Sequence, residues 1–229
     1  VIKTPELTPL SAYIFADAAE AAGMPTGAVN ILCGLGSQAG AALSTHPDVN
    51  QIVFTGSVPT GIAIATAAAQ NVVPCVLELG GKSAAIVHDD ADLEGFETDI
   101  RWGIYFNAGQ VCSAMSRVIV HESRADELLD RAEKVARSLS VGPGVERTAF
   151  GPNMGAMVNE AQRDRAVAMV AKAEADGARV VTGGRKLNRS GAFMEPTVLA
   201  DVTPDMSIAN EEVFGPVLHV ATFRSQDLD

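Results

Sequence analysis

The residue with the most distinctive chemistry in this sequence is a cysteine that follows a glycine-containing turn. Cys112 ends the stretch Phe106-Asn107-Ala108-Gly109-Gln110-Val111-Cys112. A cysteine thiolate is a strong nucleophile, and a turn that feeds a helix N-terminus favours the thiolate and supplies backbone N–H donors. The alternative is a small core residue, since free cysteines are among the most buried residue types. The stretch alone leaves both interpretations open.

The composition narrows the possible partners. The 229 residues suffice for one large or two modest domains. A net charge of -11 argues against nucleic acid and anionic membranes as partners, and the apolar runs are too short for a membrane span. Three cysteines without paired spacing argue against disulfides and a zinc site. We therefore predict no metal and a reducing compartment, which we assign to the cytoplasm.

The elements that must position these residues alternate between strands and helices. Thr8-Pro9 predicts a first helix start, with Thr8 as N-cap, and further helices are expected after Gly34–Gly40 and after Gly56-Ser57. This alternation predicts an α/β fold with a mostly parallel sheet, in which ligands lie at the carboxyl ends of the strands. Gly34-Leu35-Gly36 is only a weak dinucleotide motif, and a tight turn explains it equally well.

The alternation of strands and helices begins again after Gly80-Gly81. We therefore place a domain boundary there, with domains at residues 1–79 and 80–229. In the second domain a long helix is expected over residues 154–175, and Asp89-Asp90-Ala91-Asp92 is expected to cap another that runs towards Phe106. Two groups of side chains receive structural interpretations: Cys33 and Cys75 as core residues, and Lys82 and Asn107 as braces of turns. Trp102 and Tyr105 are assigned either to a substrate tunnel or to helix packing.

Five segments then fall into one pattern. In chain order they are Lys3-x-x-Glu6-x-Thr8-Pro9, Phe54-Thr55-Gly56-Ser57, Glu78-Leu79-Gly80-Gly81-Lys82-Ser83, Phe106-Asn107-x-Gly109-Gln110-x-Cys112 and Glu211-Glu212-Val213-Phe214-Gly215-Pro216. The chain resembles the NAD(P)-dependent aldehyde dehydrogenase superfamily over nearly its whole length. The resemblance implies a Rossmann-like, mostly parallel cofactor domain followed by an α/β catalytic domain, both truncated.

The resemblance also implies roles for individual residues. Cys112 would attack the aldehyde carbonyl, the thiohemiacetal would pass hydride to the nicotinamide, and Glu78 would activate water to hydrolyse the resulting thioester. The implied cofactor contacts are Lys3, Glu6, Gly36, Ser57, Leu79, Gln162, Glu212 and Phe214. Because a carboxylate at Glu6 would accept bonds from ribose hydroxyls and repel a 2′-phosphate, we expect NAD rather than NADP.

The chain departs from the family in length. Members are longer at both ends, and the upstream part supplies an oxyanion-hole Asn, so we expect this chain to be an impaired fragment. Two alternatives stay open: a CoA-acylating relative, against which Glu78 argues, and a non-catalytic nucleotide-binding or structural fragment. The expected partner is a small-molecule aldehyde of unidentified structure, and the resemblance implies a homo-oligomer for the full-length protein.

Overall fold

The computed structural model describes residues 1–145 and 154–228 of the chain. The chain divides into two compact units, Val1–Gly80 and a second unit that begins at Gly81. Mixed helices and mostly parallel strands occur in both units, which confirms the predicted α/β class. In the described ranges, no helix is long and apolar enough to cross a membrane.

The first unit contains two parallel strand pairs. The pairs are β1 (Ile2–Lys3) with β2 (Ile31–Leu32), and β3 (Ile52–Gly56) with β4 (Cys75–Leu79). The helices of this unit are α1 (Leu10–Ala21), a π-helical turn (Gly36–Gly40), α2 (Ala41–Thr45) and α3 (Val58–Ala69). The strand pairs form separate two-stranded sheets rather than the single sheet that the alternation suggests.

The helix starts in the first unit follow the local sequence. Ser57 is extended at the N-cap of α3, and Pro59 occupies the first turn, where its missing N–H has no helical partner to lose. The predicted cap of α1 is wrong: the helix begins at Leu10, Pro9 takes the N-cap position, and no side chain caps it. A proline ring already presets the backbone for the first turn, so α1 begins without a hydroxyl cap.

The second unit contains one five-stranded sheet in the order β5-β6-β9-β8-β7. The strands are β5 (Ala84–Val87), β6 (Arg117–His121), β7 (Arg179–Thr182), β8 (Thr197–Ala200) and β9 (Val217–Phe223). All neighbours are parallel except β7 and β8. The helices are α4 (Leu93–Ile104), α5 (Ala125–Ser138), α6 (Glu160–Ala175) and α7 (Ser207–Asn210).

The core of the second unit forms where the helices cover this sheet. Its large, fully buried side chains include Ile100, Ile104, Tyr105, Leu128, Val118, Val120, Leu199 and Leu218. The predicted capping segment, residues 89–92, does cap α4, and Asp92 is the residue that accepts bonds from the N–H groups of Glu94 and Gly95. The predicted start of α6 is wrong: the helix begins at Glu160 with Asn159 as N-cap, because the N–H of Met157 bonds instead to the carbonyl of Ala192.

Candidate active site

Three motif-bearing segments of the second unit lead into three adjacent parallel strands. Residues 81–83 enter β5, the cysteine loop (residues 106–116) enters β6, and the Glu212 loop (residues 211–216) enters β9. Because β5, β6 and β9 are parallel neighbours, these segments meet at the amino-terminal edge of the sheet. The sequence analysis predicted ligands only at the carboxyl ends of the strands. The grouping of these segments at the amino-terminal ends becomes visible only from the strand order of the structure. A small cavity there is lined by Gly81, Val111, Ser116, Glu212 and Phe214, among others.

The cysteine loop has an unusual backbone. Asn107 (φ 50°), Ala108 (φ 54°) and Gly109 (φ 71°) are all left-handed, a conformation that costs non-glycine residues about 1 kcal/mol or more each. Side chains brace this turn: the Asn107 amide donates to the Gln110 carbonyl at 3.1 Å, and the Gln110 amide donates back to the Asn107 carbonyl at 3.0 Å. The Gln110 carboxamide oxygen also accepts from the N–H of Val158 at 2.7 Å.

Cys112 lies beyond this turn and is exposed. It sits in a tight turn closed by a 3.0 Å bond from the N–H of Ala114 to the carbonyl of Val111. The chain then continues into β6 at Arg117, so the turn at Cys112 leads into a strand. The nearest backbone donors at Cys112 therefore belong to a turn and not to a helix.

The cysteine loop and the Glu212 loop are in direct backbone contact. A Cβ atom at Gly109 would overlap the carbonyl group of Gly215. The backbones of the two loops therefore approach each other more closely than any residue other than glycine would allow. Phe214, next to Gly215, is also left-handed (φ 51°) and exposed. Of the five non-glycine residues with positive φ in the described part of the chain, three lie in these two loops. Strain of this kind clusters at functional sites.

Helix α6 holds the Glu212 loop from the other side. The Gln162 amide donates to the carbonyls of Val213 at 3.0 Å and Phe214 at 3.1 Å. The Arg165 guanidinium donates to the carbonyls of Glu212 and Val213, both at 3.2 Å. Arg165 was not singled out from the sequence, although it lies three residues after Gln162 and hence on the same helix face. Both side chains position the backbone that carries Glu212.

Buried polar groups lie behind this edge of the sheet. Burial, together with the charge of Arg117, lowers the pKa of Lys82 to about 8, whereas the charge of Glu212 raises it. Burial and the charges of Lys82 and Arg117 lower the pKa of His219 to about 3. His219 is therefore neutral at pH 7. The prediction that Lys82 braces a turn did not consider that its ammonium group is a buried charge.

In the first unit the structure brings Lys3, Glu6 and Gly36 together. The N–H of Gly36 donates to the Glu6 carboxylate at 2.5 Å, and the Lys3 ammonium lies 3.9 Å from the same oxygen. Lys3 is the last residue of β1, and Glu6 and Gly36 follow the carboxyl ends of β1 and β2, which is where an α/β sheet binds ligands. The Glu6 side chain is about half exposed and open to a ligand.

Three further predicted site residues lie at the carboxyl ends of β3 and β4. Ser57 follows β3, and its hydroxyl is 2.9 Å from that of Thr60. Glu78 is exposed on β4, opposite Thr55 in the strand register. Leu79 is half-buried, and its side chain packs so closely on Gly61 that a Cβ there would stand 2.7 Å away. The Leu79 side chain thus joins β4 to α3.

The structure distinguishes the two aromatic residues whose role was left open, and it corrects the expectation for one cysteine. Tyr105 is fully buried and donates its hydroxyl to the carbonyl of Thr197, so it belongs to the core, whereas Trp102 is exposed beside Phe106 with ring centroids 6.1 Å apart. Cys33 was expected in the core and is exposed, because the short strand β2 has a single neighbour. Over residues 1–145 and 154–228, no group of three acidic, His or Cys residues could hold a metal ion.

Comparison with known proteins decides the family. The model of the aldehyde dehydrogenase family matches residues 1–228. The chain belongs to the aldehyde dehydrogenase family. It is 43% identical to a peroxisomal aminoaldehyde dehydrogenase of Malus domestica over 229 residues, and 44% identical to a mitochondrial aldehyde dehydrogenase of Leishmania tarentolae over 228 residues. Each alignment covers 99% of this chain and 45% of the relative.

The same family appears among solved structures. An aldehyde dehydrogenase of Bacillus cereus, solved as a complex with NAD⁺, superposes with a TM-score of 0.94 at 40% identity, covering 99% of this chain and 45% of that protein. The chain thus spans slightly less than half the length of the family members it matches.

The cytoplasmic assignment is wrong by these comparisons. Relatives that match almost the whole chain are named peroxisomal and mitochondrial. The error has a physical reason: cysteine usage separates oxidising from reducing surroundings, and it cannot distinguish one reducing compartment from another.

Proposed function

We propose that this protein takes part in the NAD-dependent oxidation of a small aldehyde to a carboxylic acid, with Cys112 as nucleophile. The observation that carries the proposal is the backbone contact between Gly109 and Gly215. It joins the loop that exposes Cys112 to the loop that carries Glu212 and Phe214. A nucleophile and a candidate cofactor carboxylate therefore share one edge of the sheet.

The residues at the end of β1 fit the adenosine ribose of NAD. The Glu6 carboxylate is an acceptor for ribose hydroxyls, and the N–H of Gly36 and the Lys3 ammonium already orient it. A 2′-phosphate would meet the negative charge of Glu6, so NADP is disfavoured. Ser57 would lie near the pyrophosphate, with Leu79, Gln162, Glu212 and Phe214 toward the nicotinamide side. Bound NAD supplies a hydride acceptor.

The chemistry of this chain begins at Cys112. Its thiolate adds to the aldehyde carbon, and the Cys112 backbone N–H is a candidate donor to the developing oxyanion. Loss of hydride from the thiohemiacetal leaves a thioester on the cysteine. Glu78 then takes a proton from water, whose oxygen attacks the thioester, and the carboxylic acid leaves as the thiol is restored.

The Glu78 carboxylate is exposed on β4 and accessible to water, and this exposure supports the proposed water-activating role. Glu78 is exposed and belongs to the first unit, whereas Cys112 belongs to the second. If CoA rather than water accepts the acyl group, Glu78 loses this role and the chain is a CoA-acylating enzyme.

The substrate class is a small aldehyde. The relative from Malus domestica is named for aminoaldehydes, and we propose amino-substituted aldehydes as the first substrates to test. The expectations of impaired activity for the isolated chain and of a homo-oligomer for the full-length protein stay predictions. The first is tested by the activity of the isolated chain, and the second by the mass in solution of the full-length protein.

The deciding experiment is aldehyde-dependent NADH formation without CoA, in the parent chain, in Cys112→Ala and in the control Cys75→Ala. We expect NADH, at the reduced rate predicted for the isolated chain, from the parent and from Cys75→Ala, and none from Cys112→Ala. Glu78→Gln should form an acyl-enzyme and release acid slowly. NADH formation by Cys112→Ala at the parent rate would overturn the proposal. Turnover that requires CoA would favour the acylating alternative.

A further inference from the structure

A second cavity lies on the second unit and shares no lining residue with the small cavity at the sheet edge. Its volume is about 400 Å³, which is within the range of small-molecule sites. One wall is the first turn of α6, and the other is the loop between β7 and β8. Polar and charged residues dominate the lining: Glu160, Arg163, Lys186, Asn188, Arg189 and Ser190.

The loop that forms the second wall is a hairpin (residues 185–195) with a defined backbone. The N–H of Leu187 donates to the carbonyl of Phe193 at 3.1 Å across this hairpin. Gly191 has a φ of 109°, and a Cβ there would stand 2.6 Å from the Phe193 ring. The guanidinium carbon of Arg189 lies 4.8 Å from the centroid of the same ring. The hairpin therefore presents the Arg189 side chain in a fixed position, and the cavity is preformed.

Arg163 joins the two walls of the cavity. Only 8% of its side chain is exposed. Its guanidinium donates to the carbonyl of Gly191 in the hairpin at 2.9 Å and to the carboxylate of Asp164 at 2.9 Å. The carboxylate of Glu160 stands farther away, at 3.5 Å, and its side chain is 71% exposed. Because the contact with Glu160 is long and open to solvent, an anion in the cavity can take its place on the guanidinium.

The charges around the cavity do not cancel. Three cations, Arg163, Lys186 and Arg189, line it, whereas the carboxylates at this place are Glu160 in the lining and Asp164 beside Arg163. The hydrogen bond from Arg163, together with the charges of Arg163 and Lys186, lowers the pKa of the Asp164 carboxyl. One positive charge is left over, in a chain whose net charge is -11. A concave surface with an excess of positive charge attracts anions.

We propose that this cavity binds a small dianion, with phosphate or carboxylate groups, between Arg163, Lys186 and Arg189. Guanidinium groups bind both kinds of anion through paired N–H donors, and a lysine adds a third point of charge. The side chains of Asn188 and Ser190 line the same space and add neutral donors. The site lies within the second unit and is independent of the aldehyde oxidation proposed above.

The first test titrates the 229-residue chain with inorganic pyrophosphate and, in a second series, with succinate, while backbone amide NMR signals are recorded. We expect saturable shifts in the hairpin and in the first turn of α6, with a Kd of about 1 mM for the better ligand. Tighter binding of pyrophosphate would assign a phosphate ligand, and tighter binding of succinate a dicarboxylate. The proposal is overturned if neither anion saturates these signals at about 20 mM, or if the shifts lie elsewhere in the chain.

Charge variants provide the second test. Lys186→Met should weaken the binding of the better ligand about tenfold, because one charged contact is lost. The matched control is Arg185→Met, which removes a cation of the same hairpin that does not line the cavity. It should change the Kd by less than about twofold, since an exposed charge outside the site is screened by solvent and salt. Equal losses in the two variants would show a response to general surface charge and would overturn the site.

A third variant predicts a change in the opposite direction. Glu160→Gln removes the acidic residue of the lining and should strengthen anion binding about threefold, because repulsion is removed and Arg163 is released. Glu174→Gln, an exposed acid elsewhere on α6, is its control and should leave the Kd unchanged. Unchanged binding in Glu160→Gln would contradict the site. The titrations use neither aldehyde nor NAD, so their result is separate from that of the proposed function.

Discussion

Gly109 and Gly215 pack backbone against backbone, although they lie far apart in the sequence. A methyl group at Gly109 would also stand 2.9 Å from the nitrogen of Pro216, and the residue's positive φ disfavours any side chain. We expect Gly109→Ala to lower the free energy of unfolding by about 3 kcal/mol or more, because overlap and backbone strain add.

The matched control for this substitution is Gly155→Ala, since a Cβ there meets nothing within 4 Å. Urea denaturation should show a change within about 0.5 kcal/mol for the control. Equal stabilities for Gly109→Ala and Gly155→Ala would show that the two loops do not touch.

Gln162 connects α6 to the Glu212 loop through two carbonyl groups. Replacing it with alanine leaves these acceptors without a donor, and we expect a loss of about 1–2 kcal/mol of stability without any cofactor present. Thermal or urea unfolding checks this, with Gln70→Ala at the exposed end of α3 as control. If stability is unchanged and only NAD affinity falls, Gln162 is a ligand contact rather than a brace.

His219 makes stability depend on pH. Its pKa is about 3 in the folded chain and about 6.5 when unfolded. The unfolded chain therefore binds the proton first as the pH falls. The free energy of unfolding is highest above about pH 6.5, and it decreases as the pH falls from about 6.5 towards 3.

Because of His219, the free energy of unfolding of the parent should fall by about 2 kcal/mol between pH 6.5 and pH 5, at about 1.4 kcal/mol per pH unit. Urea midpoints at the two pH values should show a smaller loss in His219→Gln, whereas the exposed control His46→Gln should match the parent. A loss in His219→Gln as large as the parent's would contradict the buried, neutral state.

Cys33 offers a thiol that competes with Cys112 in labelling experiments. The Tyr13 hydroxyl lies 3.1 Å from its sulfur and the Thr4 hydroxyl 3.6 Å, and these bonds lower the pKa of Cys33. We expect Tyr13→Phe to slow alkylation of Cys33 at pH 7 by about threefold, because less thiolate is present.

Mass spectrometry of the three labelled cysteines provides the measurement, and Cys112 in the same sample is the internal control. Unchanged labelling of Cys33 in Tyr13→Phe would rule out the hydrogen bond. Thiol reactivity of Cys112 is best compared in a Cys33→Ser background, where this second exposed thiol is removed.

Much of the local structure could be predicted from the sequence. Strand β5 and the Asp92 cap of α4 follow directly from local residues. Runs of β-branched residues and capping side chains act over a few positions, so they can be recognised in the sequence without knowledge of the tertiary structure. The start of α6 could not be placed in this way, because a hydrogen bond from Met157 to the distant carbonyl of Ala192 delays it.

The sequence by itself determined the family and the order of its motifs, since these depend on residue identity. Only the tertiary structure decided that Cys112 and Glu212, 100 residues apart, lie on loops that share one sheet edge. That proximity arises because β9 pairs with β6. The pairing is determined by side-chain packing over the whole sheet. The same packing buries the Lys82 ammonium. In the first unit, Cys33 is exposed because β2 has a single neighbouring strand. Neighbouring residues in the sequence encode neither outcome.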